Sequence, residues 1–106
     1  MKIITVCGSI RFLNEMMVAT EKMELKDNCM LVPIYNPNKT SKDDFTEQEA
    51  LILDKMHKER IKLSDAILVV DVDGYIGSST KSEIEFAKNL GKEIIYYSDL
   101  KKQGIL

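Results

Sequence analysis

Apolar positions along this chain follow two rhythms that take turns. KIITVC, Lys2–Cys7, is a short β-branched run that ends at Gly8 and predicts a first strand. Leu13, Met16, Met17, Thr20 and Met23 then recur at helical spacing, predicting a helix from Phe12 to Lys26 that Asp27-Asn28 breaks. CMLVPI, Cys29–Ile34, predicts a second strand; Pro33 has no N–H for a ladder, which favours its end or an edge position. YNPNKTSKDDF, Tyr35–Phe45, has no period and reads as a loop, the longest in the chain and the best candidate for a mobile lid. A second helix is expected from Thr46, its N-cap, to Leu63, with Leu51, Leu53, Met56, Ile61 and Leu63 inward. AILVVDV, Ala66–Val72, is continuous enough in Ile, Leu and Val for a strand buried on both faces. A third helix carries Ile84, Ala87 and Leu90 inward and stops at Gly91. EIIYYS, Glu93–Ser98, predicts a fourth strand, and DLKKQGIL a short tail.

Strand and helix therefore alternate, and parallel neighbours need right-handed crossovers. The expected fold is α/β: a three-layer, Rossmann/flavodoxin-like parallel sheet of four to five strands with helices on both faces. In such sheets ligands bind beyond the carboxyl ends of the strands, at the switch point. Three segments point there: CGSIRF after strand one, Ile34 onward after strand two, and DVDGYIGSST after strand three.

Length and charge narrow the function classes. At 106 residues, without repeats or internal linkers, the chain is expected to be one domain, residues 1–106. A net charge of −2 argues against binding a nucleic-acid polymer, which needs a basic face. No apolar run approaches the roughly 20 residues that cross a bilayer, so no membrane partner is expected. MKIITVCG lacks the pattern of a signal peptide, and Cys7 and Cys29 show neither CxxC nor Cys/His ligand spacing. The expectation is a reduced cytoplasmic location with no metal and no cofactor.

The candidate chemistry sits in the three converging segments. CGSIRF has one glycine, so it is not a dinucleotide or ATP loop. Gly8, Ser9 and Ile10 form a turn opening a helix, whose N–H groups can meet a phosphate, and Arg11 can add a bidentate contact. A plain turn capped by Ser9, with Arg11 solvated, fits equally. In GYIGSST, Gly74 and Gly77 allow close approach, while Ser78, Ser79 and Thr80 offer hydroxyls suited to sugar or phosphate oxygens. Glu83 stands three residues after Thr80, the spacing of a capping box. It is also a carboxylate at the start of a helix, where it can serve as a nucleophile. Asp71 and Asp73 close strand three on one face and can orient a ribose hydroxyl or hold a base proton. His57, the only histidine, reads as a boundary residue of helix two or a proton donor. Glu85 and the pair Asp43-Asp44 read as solvated.

Two stretches, CGSIR at Cys7–Arg11 and SDAILVVDVDGYIGSSTKSEIEFAKNLGKEIIYY at Ser64–Tyr97, carry a resemblance. With them, the chain resembles the nucleoside 2-deoxyribosyltransferase superfamily, including its 2'-deoxynucleoside 5'-monophosphate N-glycosidase branch. The resemblance implies that Glu83 attacks C1' of a deoxyribose and displaces the base. It further implies that Gly8–Arg11 and Gly77–Thr80 bind the 5' side or phosphate of a deoxynucleoside or deoxynucleotide. Family members are commonly dimers or higher oligomers, which makes Tyr96-Tyr97 and Leu100–Leu106 candidates for interface contacts. Thr5 stands where the family usually has a tyrosine that steers the catalytic carboxylate, and His57 where it often has an aspartate. Proton delivery from His57 to the leaving base is read from imidazole chemistry and not from the family. The rival readings are a nucleotide-binding module without turnover and a protein-interaction module.

Overall fold

A computed structural model describes the whole chain, Met1–Leu106. Four strands, β1 (Ile3–Cys7), β2 (Cys29–Leu31), β3 (Ala66–Val69) and β4 (Glu93–Tyr96), form one sheet in the order β2-β1-β3-β4. Every pairing is parallel. Helices α1 (Leu13–Glu24), α2 (Glu47–Leu63) and α3 (Ser78–Asn89) make the crossovers, and α4 (Tyr97–Lys102) follows β4. The architecture is the expected three-layer, Rossmann/flavodoxin-like α/β fold, with four strands. No helix is long and apolar enough to cross a membrane.

The two-residue period of the strands sorts side chains into two cores. Ile4, Val6, Leu68 and Val70 face one way, against Met16, Ala19 and Met23 of α1, with Leu100 of α4 packed alongside. Cys7, Ile67 and Val69 face the other way, against Ile61 of α2 and Ile84 and Ala87 of α3. Ala66 through Val70 are all buried, and sealing each larger side chain from water stabilises the fold by about 1.5–3 kcal/mol. Asp65 ties this strand to its neighbour by accepting from the Ile3 N–H at 2.8 Å. The chain passes from β1 outward to β2, then returns to the far side of β1 as β3. The switch point therefore lies at the carboxyl ends of β1 and β3.

Several boundaries differ from the pattern reading. β2 stops at Leu31, two residues before the proline that cannot donate to the ladder. β3 stops at Val69, because Val72–Gly74 forms a 3-10 turn with both Asp73 and Gly74 at positive φ. β4 ends at Tyr96, and the supposed tail is the helix α4. Tyr97, Leu100 and Leu106 pack onto the α1 side of the sheet and Tyr96 onto the other, so these are core contacts before they are interface candidates.

Helix α2 is rotated relative to its apolar pattern. Leu51 and Leu63 are 70% and 72% exposed, and Ile52 and Met56 also face solvent. The inward residues are His57 and Ile61, one turn apart, with half-buried Leu53 a turn before them. In α1 Met17 is exposed and Ala19 buried; in α3 Leu90 is exposed while Thr80, Glu83, Ile84 and Ala87 are inward. Rotation of these helices carries His57 and Glu83 under the loops at the switch point.

Candidate functional site

β1 ends against a tight turn at Gly8. A Cβ on Gly8 would lie 3.2 Å from Met16 Sδ and 3.3 Å from Val70 Cβ, tighter than close-packed atoms accept without a shift. Ser9 then caps a 3-10 turn over Ile10–Phe12, accepting from the Arg11 N–H at 3.4 Å. The plain capping reading of Ser9 is thus realised. Arg11 is not merely solvated: its guanidinium lies 4.2 Å from the centre of the Tyr75 ring, whose edge meets Phe12. A cation held over an aromatic face keeps its outer N–H fork free for an anion.

Helix α3 begins at Ser78 with Gly77 as its N-cap, and no side chain caps it. Thr80 is therefore the third helical residue, not a cap, and Glu83 lies in the second turn. The Thr80–Glu83 spacing makes no capping box here. A true capping box appears instead on α2, where Thr46 accepts from the Glu49 N–H and Glu49 accepts from the Thr46 N–H. Glu83, only 9% exposed, points inward with Thr80 and Ile84. Glu85 is exposed, as expected.

Two adjoining clefts meet beneath these turns. One, of about 410 Å³, is lined by Gly8–Arg11 and Gly77–Thr80, so it gathers eight of the predicted binding residues. The other, of about 340 Å³, reaches down to His57 and Glu83. Gly8, Lys42, Phe45 and Ser79 line both. Such volumes suit a small organic ligand. Lys42 was not singled out from the sequence, yet its Nζ donates to Ser79 Oγ at 3.2 Å across the cleft. Its loop was expected at this end of the sheet; nothing local marked which of its residues would face the cleft. That loop is tied internally, since Asp44 accepts from the N–H groups of Thr40 and Ser41, both at 3.0 Å. Asp44 is therefore a cap rather than a freely solvated carboxylate.

At the floor, three side chains from three elements converge. His57 Nε2 is 3.4 Å from Glu83 Oε1 and 3.5 Å from Cys7 Sγ. Their donor atoms all lie within 4.8 Å of one another, the one grouping in the chain close enough to hold a metal ion. Ligand spacing in the sequence gave no sign of it. Burial pushes the Cys7 thiol well above its ordinary range, and the charge and hydrogen bond of Glu83 push it further. The folded chain thus keeps a proton that the unfolded chain releases above the ordinary thiol pKa of about 8.5. The stability this contributes is fully present below that range and is lost as pH rises through the raised folded value. Chemical denaturation of wild type and Cys7→Ala from about pH 7.5 to 10 is expected to show the steeper loss in wild type. Equal slopes would contradict the assignment.

Asp71 and Asp73 belong elsewhere. Asp71 accepts from the Ser98 N–H at 2.8 Å and from Ser98 Oγ at 2.7 Å, tying β3 to the start of α4. Asp73, in the turn beyond, is exposed. The strand period that placed them on one face ends at Val69. They line a separate cleft of about 480 Å³ with Tyr97, Ser98 and Lys101, remote from Glu83 in its lining. Asp71→Ala is expected to cost about 2 kcal/mol of stability, the loss of charge-assisted hydrogen bonds at a buried carboxylate, and to leave chemistry at Glu83 unchanged. Urea denaturation with an activity assay checks both halves.

No protein-family model matches the chain, and no curated protein matches it.

Chemically, the paired clefts divide the labour. The rim offers Arg11, Lys42, three hydroxyls and the uncapped N–H groups of α3, all donors suited to an anion. The floor offers the buried carboxylate of Glu83; the more exposed Asp54, paired with Lys58 at 3.1 Å, also lines that cleft. Thr5 is fully buried on the same side as Cys7 and exchanges a hydrogen bond with Ser64, which in turn donates to the Arg60 carbonyl at 2.8 Å. Its hydroxyl is committed to the end of α2.

Proposed function

We propose that the chain cleaves or transfers the N-glycosidic bond of a deoxynucleoside 5'-monophosphate, with Glu83 as nucleophile. The observation that carries this reading is a buried carboxylate at the floor of a cleft whose rim gathers Arg11, Lys42 and an uncapped helix N-terminus. The phosphate takes the rim and the sugar lies over Glu83. A carboxylate oxygen bonds to C1', the C1'–N bond breaks, and its electron pair leaves with the base, which takes up a proton. The oxocarbenium-like transition state is stabilised by the adjacent negative charge. Water then attacks C1' of the glycosyl ester, or the nitrogen of a second base does, and Glu83 is released as a carboxylate. The resemblance of CGSIR and of the Ser64–Tyr97 block to the deoxyribosyltransferase superfamily supports the same chemistry. Self-association, implied by that resemblance, is supported by the outward apolar residues Ile52, Met56 and Leu63 of α2.

The test is incubation with deoxynucleosides and their 5'-monophosphates, with and without an acceptor base, following free base by chromatography. Base release from monophosphates supports the reading. Nucleotide binding without release, identical in wild type and Glu83→Gln, would instead support a binding module without turnover.

A further inference from the structure

His57 is the only histidine in the chain, and both its ring nitrogens are engaged inside the fold. Nδ1 lies 3.3 Å from Arg60 Nη1, one helical turn further along α2. Nε2 faces Glu83 Oε1 at 3.4 Å and Cys7 Sγ at 3.5 Å. A guanidinium has donors and no acceptor. It can meet Nδ1 only where that nitrogen offers its lone pair, so the proton of the neutral ring sits on Nε2. We propose that Arg60 fixes His57 as the Nε2–H tautomer and that His57, so fixed, is the positioning residue for the Glu83 carboxylate.

The Nε2 side of the ring packs 3.4 Å from Oε1, so the imidazole sets where the carboxylate lies. Cys7 closes the contact from the sheet, its Sγ lying 3.5 Å from the same Nε2. Steering of the carboxylate therefore comes from α2, since the hydroxyl of Thr5 in β1 is taken by Ser64. Neither nitrogen of His57 is left to deliver a proton to a departing base, which makes the residue a positioner and not a general acid. A metal ion held by the same three side chains would need the Nε2 lone pair and a proton on Nδ1. That proton would confront the Arg60 N–H, so the tautomer separates the two uses of the cluster.

The tautomer stands on geometry alone; the positioning role rests on the nucleophile reading above. A single histidine gives a single set of ring signals, so nitrogen-15 imidazole spectra report the tautomer without ambiguity. The expected pattern is a protonated Nε2 and a lone-pair Nδ1 in wild type, lost or mixed in Arg60→Met. A protonated Nδ1 in wild type, or no change in Arg60→Met, overturns the proposal. In kinetics, His57→Leu removes the donor while His57→Gln keeps an N–H near the Nε2 position. His57→Leu is expected to lower kcat about 100-fold with KM little changed, as misplacing a reacting group does, and His57→Gln is expected to recover most of that loss. Equal losses in the two variants, or a loss confined to KM, overturn the positioning role. A wild type that releases no base overturns the nucleophile reading and positioning together, while the nitrogen spectra still decide the tautomer.

Discussion

Glu83→Gln is expected to lower kcat for base release by about a thousand-fold or more, the scale on which loss of a covalent nucleophile is felt. The amide keeps the size of the side chain and can still pack beside His57, so the cleft retains its shape. What disappears is the nucleophilic oxygen and the negative charge beside C1'. With the phosphate at the rim, as proposed, KM for a monophosphate is expected to stay within about 3-fold of wild type, less than 1 kcal/mol of binding energy. The substitution also removes a charge from a site that is 9% exposed, so the fold is expected to lose little stability and can gain some. Single-turnover base release, nucleotide binding and denaturant midpoints are the three measurements. Retained turnover in Glu83→Gln would remove the residue from the chemistry.

Arg11→Met is expected to erase the preference for a 5'-phosphate. A hydrogen bond to a charged group contributes about 1.5–3 kcal/mol, or roughly 10- to 150-fold in kcat/KM. The loss should fall on monophosphates and spare free deoxynucleosides, whose 5'-hydroxyl makes no such demand. Lys42→Met should act in the same direction by a smaller factor, because an ammonium is a strongly hydrated point charge without the bidentate fork of a guanidinium. The two losses should fall short of additive, since both cations face one anion. The comparison that matters is the ratio of kcat/KM for a deoxynucleotide and its nucleoside, measured at low and at physiological salt. A ratio unchanged in both variants would place the phosphate elsewhere and open the cleft to a different ligand.

Much of the scaffold was legible in the apolar pattern. Short, β-branched runs such as KIITVC and AILVV favour strands at that length, and their alternation with helical periods led to the parallel sheet. The stops were less legible. Asp73 and Gly74 take positive φ and end β3 early, but neither residue type announces that conformation by itself. Helix α4 went unread because six residues are too few for a period, and part of what anchors its start is Asp71, 27 residues earlier in the chain.

Helix faces were the harder problem. The pattern of α2 has apolar residues on more than one side, and Leu51, Met56 and Leu63 looked as inward as Ile61. The sheet beneath decided between them, burying His57 and Ile61 and turning Met56 out. Glu83 was misplaced for a related reason. Thr80 and Gly77 are both credible helix starts, and a shift of three residues moves the glutamate from a first-turn cap to the second turn. Only the packing of Ile84 and Ala87 on β3 and β4 set the rotation that points it inward.

What the sequence by itself determined, then, was local: the four strands and the three crossover helices, their order, the turn at Gly8, and the three loops gathered at one end of the sheet. Hydrophobic period and backbone sterics act over a few residues, so they can be read from a few residues. The tertiary structure alone decided the neighbourhood of Glu83. Cys7, His57 and Glu83 come from β1, α2 and α3, and no local rule links positions so far apart. They meet because Cys7 faces the α2–α3 side of the sheet and both helices press onto that side. The separation of Asp71 from this cluster is the same fact seen from the other end of β3: the strand ends first, and its carboxylate turns to Ser98.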